Sequence, residues 1–310
     1  MKSKLLIISA LFLNIVACQG KFKSQPAADQ TSELASTASV KADYTNEDQR
    51  IFEEYIQQFK TYHTENLNDI IIRTALFFKG RPYVAHTLEK DPETLVVNLR
   101  ELDCTTFVET VLALSRTLKF YDIPTFENFC GELQKIRYRN GEIQDYTLRL
   151  HYFSDWIFEN ERKGIVKDVT KQLGGEPYLI NVSFMSLHPD SYAQLKKYPD
   201  FVNIIAQKEK EISARDIYSI IPKDKIKSCE KGIENGDIVC FITDIKGLDI
   251  SHIGFLYFEK GILTFIHASS QQQKVVVNPK PLTNYVSGIK SNKGIMVIRP
   301  VEFFDEKFGR

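Results

Sequence analysis

The stretch SHIGFLYFEKGILTFIHAS, residues 251–269, indicates how the C-terminal half of the chain folds. Two runs of β-branched and aromatic residues flank a short turn signal around Lys260 and Gly261, which is the pattern of a β-hairpin. Runs of the same kind, separated by Gly, Asn or Pro, surround this hairpin: GDIVCFITD (236–244), KVVVN (274–278) and GIMVIRP (294–300). We therefore predict an antiparallel sheet beyond residue 236.

The predicted hairpin brings two histidines together, because His252 opens its first strand and His267 closes its second. A loop of Glu259 and Lys260 puts the two imidazoles directly opposite each other, and a loop of Lys260 and Gly261 makes them diagonal neighbours on one face. An unbulged three-residue loop would separate them to opposite faces. Two of these three registers allow a hydrogen bond between the imidazoles.

The N-terminal half carries helical patterns instead. Residues 46–80 have apolar positions at three and four spacing and a break near residues 63–68, which predicts two amphipathic helices. The segment 121–235 is partly helical, most clearly in PTFENFCGELQKIRY (124–138), and contains no internal repeat. Helices followed by an antiparallel sheet indicate the α+β class.

A further helix is predicted in NLRELDCTTFVETVLALSRT, residues 98–117, where apolar residues mark one broad buried face. Asp103 is the predicted N-cap and Cys104 lies in the first turn. The unpaired N–H groups and the helix dipole at that end favour a thiolate. We therefore expect Cys104 to titrate below the ordinary cysteine pKa of about 8.5, although a cysteine beside an apolar helix is more often a packed residue.

These residues together are the parts of a cysteine hydrolase. The thiolate of Cys104 attacks an amide carbonyl, His252 protonates the leaving amine and then activates water, and His267 orients His252. The backbone N–H of Cys104 can donate to the oxyanion. The other histidines (His63, His86, His151 and His188) are interpreted as structural.

The chain begins with two lysines and an apolar run that ends at Ala17, which is the layout of a secretory signal peptide over residues 1–17. Ile15 to Cys18 resemble a bacterial lipobox, so Cys18 is the predicted lipid attachment site. Residues 18–43 are small and polar and predict a flexible tether. We thus predict a membrane-anchored lipoprotein of the bacterial envelope with a single domain over residues 44–310.

Composition excludes several other classes of protein. Forty basic residues balance forty acidic ones, and no basic stripe is available to bind nucleic acid. No pair of Cys or His has zinc-finger spacing, and neither a metal nor a cofactor is expected. If Cys18 is lipidated and Cys104 is a free nucleophile, the remaining cysteines (Cys130, Cys229 and Cys240) form at most one disulfide.

Three motifs support a family resemblance: GRPYVAHTLE (80–89), ELDCTTFVE (101–109), and SHIGFLY with IHASS, whose histidines are fifteen residues apart. In these motifs the chain, from about residue 71 to 299, resembles the N-acetylmuramoyl-L-alanine amidase-like branch of the NlpC-type, papain-like cell-wall cysteine peptidases. The resemblance implies a papain-like core in which the nucleophile-bearing helix packs on the sheet, with residues 121–235 as a helical insertion.

The resemblance also implies roles for individual residues. His252 is the base and His267 its orienting partner, while Tyr83, Asp103 and Ser251 are the candidates for substrate binding. Many relatives have Asp-Cys-Ser-Gly where this chain has Asp-Cys-Thr-Thr, and a glycine where this chain has His86. These departures and the long segment 121–235 bear on substrate preference, since added segments and loops normally shape the pocket.

The function implied is a lipid-anchored cysteine amidase that acts on peptidoglycan or muropeptides and cuts between muramic acid and L-alanine. One alternative is a D-glutamyl endopeptidase that cuts the stem peptide after D-glutamate. The other is a lipoprotein that binds muropeptides without cleaving them.

Overall fold

An antiparallel sheet of eight strands organises the molecule, whose computed structural model describes residues 41–302. Two further short strands, β1 (Ala42–Asp43) and β2 (Leu95–Val96), pair in parallel beside it. The strands of the large sheet are β3 (Val166–Asp168), β4 (Glu176–Pro177), β5 (Ser219–Pro222), β6 (Ile238–Thr243), β7 (Ile250–Glu259), β8 (Ile262–Ser269), β9 (Lys274–Val277) and β10 (Asn292–Pro300). Their order is β4-β5-β10-β6-β7-β8-β9, and β3 pairs with β10 as well. All five strands predicted beyond residue 236 are confirmed.

Ten α-helices pack around this sheet in the described residues. They are α1 (Asn46–Phe59), α2 (Leu67–Phe77), α3 (Cys104–Phe120), α4 (Phe126–Arg137), α5 (Phe153–Arg162), α6 (Phe184–Leu187), α7 (Ala193–Lys197), α8 (Pro199–Ser213), α9 (Ile226–Cys229) and α10 (Leu282–Ser287). The predicted break between the first two helices is confirmed, because Thr45 and Asn66 each cap a new helix with a side-chain oxygen. No helix within residues 41–302 is long and apolar enough to cross a membrane.

The helix α3 is the centre of the fold and is more deeply buried than its pattern predicts. Every residue from Thr106 to Leu118 is buried, since α2 and α4 pack on α3 from one side and the sheet from the other. Two buried charges on α3 are paired rather than exposed: Glu109 with Arg137 at 2.6 Å and Arg116 with Glu132 at 2.7 Å. An amphipathic pattern therefore underestimated how much of α3 is enclosed.

The segment 121–235 is built into the sheet. Strands β3 and β5 from this segment both pair with β10, and β4 extends the sheet from β5. On the side of α5, the carboxylate of Asp249 accepts the backbone N–H of Ser154 at 2.8 Å, which ties this segment to the start of β7. The segment thus shares a sheet with the rest of the described residues and contributes strands as well as the helices predicted for it.

The predicted signal peptide, Cys18 and residues 19–40 of the predicted tether lie outside the described residues. The tether was predicted to extend to residue 43, but Ala42 and Asp43 form β1 and pair with β2. The last residues assigned to the tether are therefore part of a strand.

Candidate active site

The β7–β8 hairpin closes on Lys260 and Gly261, which have φ angles of 52° and 81°. Positive φ at both loop residues fits the right-handed twist of the flanking strands, so Glu259 pairs with Ile262. The register that places His252 directly opposite His267 is therefore wrong, and the diagonal register is the observed one.

The diagonal arrangement still joins the two imidazoles. His252 Nε2 lies 2.6 Å from His267 Nδ1, and the rings meet edge to face with centroids 4.8 Å apart. Space for this contact comes from Gly254, because a Cβ at that position would lie 2.6 Å from the Ile266 carbonyl oxygen and 3.1 Å from the His267 Cβ. The predicted hydrogen bond between the histidines is confirmed.

The strands β7 and β8 stop pairing before they end, and Cys104 is held where they part. Their shared register ends at the pair Phe255 and Ile266, although β7 reaches back to Ile250 and β8 continues to Ser269. The backbone N–H of Ile253, in the part of β7 that does not pair with β8, lies near the Cys104 sulfur and lowers the pKa of its thiol. The first turn of α3 therefore lies beside the strand that carries His252.

The N-terminus of α3 is capped as predicted. Asp103 Oδ1 accepts from the Thr106 backbone N–H at 2.8 Å, and the Thr106 hydroxyl accepts from the Asp103 N–H at 2.9 Å. The Phe107 N–H bonds to the Asp103 carbonyl, and the Thr105 N–H points to the Cys104 sulfur. Among the described residues the N–H of Cys104 has no hydrogen-bond partner, so it is available to an oxyanion.

Cys104 and His252 line one cleft of about 250 Å³. Its remaining walls come from three places, which are the first turn of α3, the segment 121–235, and β7 with the two residues before it: Thr105, Leu150, His151, Tyr152, Phe153, Met185, Tyr192, Leu248, Asp249, Ile250, Ser251 and Ile253. Cys104 is only partly buried, whereas Cys130, Cys229 and Cys240 are buried, and all four are free thiols. No hydrogen bond joins the thiol to His252 within residues 41–302, which is common for catalytic pairs without substrate.

The expectation of a lowered thiol pKa is wrong. Burial raises the pKa of the Cys104 thiol to about 12, and the carboxylate of Asp103 raises this pKa further because it repels a thiolate. Hydrogen bonds from Thr105 and from the Ile253 N–H act in the opposite direction without overcoming burial. The same Asp103 that caps the helix thus works against the thiolate, and the resting thiol is protonated near neutral pH.

Both histidines are neutral in the resting site. Burial lowers the pKa of His252 to about 4, and burial together with the nearby His252 lowers the pKa of His267 to about 3. If Nε2 of His252 is the donor in its contact with His267, a neutral His252 keeps a lone pair on Nδ1. His252 in this tautomer can accept a proton through Nδ1.

The three predicted substrate-binding residues are close to the nucleophile. Ser251 lines the cleft at a bulge of β7 and donates to the Phe241 carbonyl at 3.3 Å. Asp103 lines an adjoining cavity of about 150 Å³. Tyr83 forms an isolated parallel bridge with Leu102, close to the start of α3, and burial, with the ionisable groups of Cys104 and Asp103, raises the pKa of Tyr83 to about 12.

Sequence reasoning missed three residues of this site. His151, interpreted as structural, lines both cavities. Gly254 makes room for the histidine pair, and Tyr285 packs with Phe265 against His267. The signal for Gly254 was its position between two β-branched or aromatic residues of a strand, whereas nothing in the sequence placed His151 or Tyr285 near Cys104.

Within residues 41–302 no group of three or more His, Cys, Asp or Glu side chains is arranged to hold a metal ion. His86, also interpreted as structural, lines the smaller cavity beside Asp103 and has a φ of 62°. This left-handed backbone conformation favours glycine, the residue that the family resemblance implied at this position.

A family described as AmiA-like, N-acetylmuramoyl-L-alanine amidase-like, matches residues 73–295. The chain is 38% identical to an N-acetylmuramoyl-L-alanine amidase from Bacteroides uniformis, with a TM-score of 0.72 and coverage of 76% of this chain and 98% of that one. It is also 41% identical to a candidate xylanase from Bacteroides fragilis, with a TM-score of 0.69 over 73% of this chain and 99% of that one.

A protein from Legionella pneumophila is 24% identical with a TM-score of 0.62, over 81% of this chain and 95% of that one, and shows the fold alone. No curated protein matches the chain significantly. The family match spans most of the chain, and the Bacteroides uniformis amidase is covered over nearly its whole length. The chain therefore belongs to the AmiA-like, N-acetylmuramoyl-L-alanine amidase-like family.

Proposed function

We propose that this chain is a peptidoglycan hydrolase of the papain-like, NlpC-type class that uses Cys104 to cut the amide between N-acetylmuramic acid and L-alanine. Membership of an amidase-like family supports the reaction class. The observation that carries the cysteine mechanism is the shared cleft of Cys104 and His252, together with the 2.6 Å contact of His252 with His267. These are the nucleophile, base and orienting group of acyl transfer.

In the first half of the reaction, His252 Nδ1 takes the proton of the Cys104 thiol as sulfur attacks the lactyl carbonyl carbon of muramic acid. The oxyanion accepts the N–H of Cys104, which has no partner among the described residues. His252 then gives the proton to the nitrogen of L-alanine, the C–N bond breaks, and a thioester remains.

In the second half, His252 takes a proton from water and the hydroxide attacks the thioester carbonyl. The C–S bond breaks, His252 returns a proton to the sulfur, and N-acetylmuramic acid leaves as a carboxylic acid. Because the resting thiol and imidazole are both neutral, the proton moves during the attack. A buried ion pair of the Cys104 thiolate and the His252 imidazolium therefore forms only when substrate fills the cleft.

A muropeptide with a tripeptide stem tests the reaction. We expect the purified protein to release N-acetylmuramic acid and intact tripeptide, which mass spectrometry identifies by their masses. Cleavage after D-glutamate would instead establish the endopeptidase alternative. Binding of the muropeptide without any product, measured by calorimetry, would establish a binding lipoprotein.

We propose further that Cys18 carries a lipid that anchors the enzyme in the bacterial envelope. The support is the apolar run that ends at Ala17, followed by Cys18 and a polar segment. A Cys18→Ser variant should move from the membrane fraction to the soluble fraction and lack the lipid mass. Equal membrane association of the variant and the parent would contradict this proposal.

A further inference from the structure

His151 is a third histidine at the cleft, and its tautomer is determined by its neighbours. His151 Nε2 lies 2.8 Å from the backbone carbonyl of Tyr146, and a carbonyl oxygen only accepts. Nε2 must therefore carry the proton, and in a neutral ring Nδ1 is left as an acceptor. The His151 ring also packs on the Tyr146 ring with centroids 4.3 Å apart, which restricts its rotation.

The ring remains neutral at the pH at which an enzyme of the cell envelope works. Burial lowers the pKa of His151 to about 3, and the positive charge of the nearby Arg149 contributes to this decrease because it disfavours a second cation. Arg149 is itself held by Glu89 at 3.1 Å and Glu93 at 3.5 Å. His151 is therefore a neutral acceptor and not a cation.

The acceptor atom is free to receive a hydrogen bond. Nδ1 of His151 makes no hydrogen bond within the described residues. It is also absent from the fully buried polar atoms that lack a partner, so part of its surface is accessible. The ring lines the cleft that contains Cys104 as well as the adjoining cavity beside Asp103. Apolar side chains around it, such as Leu150 and Met185, strengthen any hydrogen bond made there.

We propose that His151 Nδ1 accepts a hydrogen bond from an uncharged amide N–H of the muropeptide, so that His151 positions the substrate against Cys104. This inference rests on the proposed function. A neutral acceptor suits an amide better than an ammonium group, for which the Asp103 carboxylate is the better partner. Because His151 comes from the segment 121–235, the proposal also gives this segment a role in substrate selection.

The experiment measures kcat and KM for the full-length protein on one N-acetylmuramoyl dipeptide and on two analogues that each lack one of its two non-scissile amide N–H groups. In one analogue an ester replaces the amide between alanine and glutamate, and in the other an acetoxy group replaces the acetamido group. His151→Phe keeps the ring and removes the acceptor. His63→Phe is the control, because His63 is exposed and bonds only to the Lys60 carbonyl among the described residues.

We expect His151→Phe to lower kcat/KM on the normal muropeptide about tenfold, as the loss of one substrate hydrogen bond does. For the parent, kcat/KM should fall by a similar factor on one of the two analogues. For His151→Phe, kcat/KM on that analogue should equal its value on the normal muropeptide. His151→Asn, which offers an oxygen near the position of Nδ1, should recover part of the loss. His63→Phe should behave as the parent does.

Equal further losses for His151→Phe and the parent on both analogues would overturn the proposal and leave His151 a structural residue. The same conclusion follows if His151→Phe is as active as the parent on the normal muropeptide. Failure of the proposed function is a distinct result, because the parent would then release no N-acetylmuramic acid from any of the three substrates.

Discussion

The two ends of the β7–β8 hairpin are held together in different ways. At the closed end, the turn at Lys260 and Gly261 and the backbone ladder determine the pairing. At the other end the strands part beyond Phe255 and Ile266, and the first turn of α3 and the histidine pair occupy that region. The closed end is built by neighbours in sequence, whereas the open end combines residues nearly 150 positions apart.

The reactive groups lie at the open end for a physical reason. In a complete antiparallel ladder, every N–H that points between the two strands donates to a carbonyl of the partner strand. No other chain segment can then lie between the strands. Where the ladder stops, the N–H of Ile253 faces the Cys104 sulfur closely enough to lower the pKa of the thiol. Substitutions at the open end should therefore affect activity far more than substitutions at the closed end.

Loss of the nucleophile or its base should have the largest effect. Cys104→Ala and His252→Ala should each lower kcat on a muropeptide at least about 10⁴-fold, and the double variant should be no worse, since the two groups act as one unit. Circular dichroism should show the parent fold in each variant. Parent-like turnover by either single variant would exclude the cysteine mechanism.

The orienting histidine should matter less. His267→Ala should fold and lose about 10²-fold in kcat, because it positions His252 without entering any bond change. His267→Asn or His267→Gln offers another acceptor for the Nε2–H of His252 and should recover part of the loss. A variant with alanine that matches the parent rate would contradict the orienting role.

Gly254→Ala should disturb the open end sterically. A Cβ there would come within 2.6 Å of the Ile266 carbonyl oxygen and 3.1 Å of the His267 Cβ, so we expect a loss of about 1–3 kcal/mol in the free energy of unfolding and a lower kcat. The matched control is Gly131→Ala in α4, where the added Cβ has nothing within 4 Å. The control should retain activity and gain about 0.5–1 kcal/mol.

The protonation of Cys104 offers a smaller effect with a definite sign. Burial and then the Asp103 charge raise the pKa of this thiol. Asp103→Asn removes the charge and keeps a side-chain oxygen for the helix cap, so the pKa should fall. Alkylation rates against pH, with Cys104→Ala as background, measure this pKa. An unchanged or higher pKa in Asp103→Asn would contradict the assigned cause.

The closed end should tolerate substitution and even benefit from it. Lys260 has a φ of 52°, which asparagine adopts more readily than lysine does. Lys260→Asn should therefore raise the free energy of unfolding by about 0.5–1 kcal/mol, measured by urea denaturation. Because the turn is remote from the cleft, kcat and KM should match those of the parent. A change in kcat would mean that the two ends are coupled.

Local patterns in the sequence were sufficient for the C-terminal sheet and for α3, although they did not reveal the strands β3, β4 and β5. Alternation and turn residues determined the strands of the C-terminal sheet, and the Asp103 cap with Cys104 in the first turn followed from residues within one helical turn of each other. The same-face histidine pair also followed, since a hairpin loop limits the possible registers. Hydrogen bonds and packing of this kind depend on neighbours in the chain, which a sequence displays directly.

Only the tertiary structure decided how these elements meet. The opening between β7 and β8, the placement of His151 at the cleft and the high pKa of Cys104 each depend on residues far apart in the chain. The position of Cys104 at a helix N-terminus favours a thiolate and a low pKa. Burial raises the pKa instead, because desolvation of the charge outweighs the hydrogen bonds offered to the sulfur. Burial is a property of the assembled core, so the sequence determined which groups could react and the fold decided their protonation.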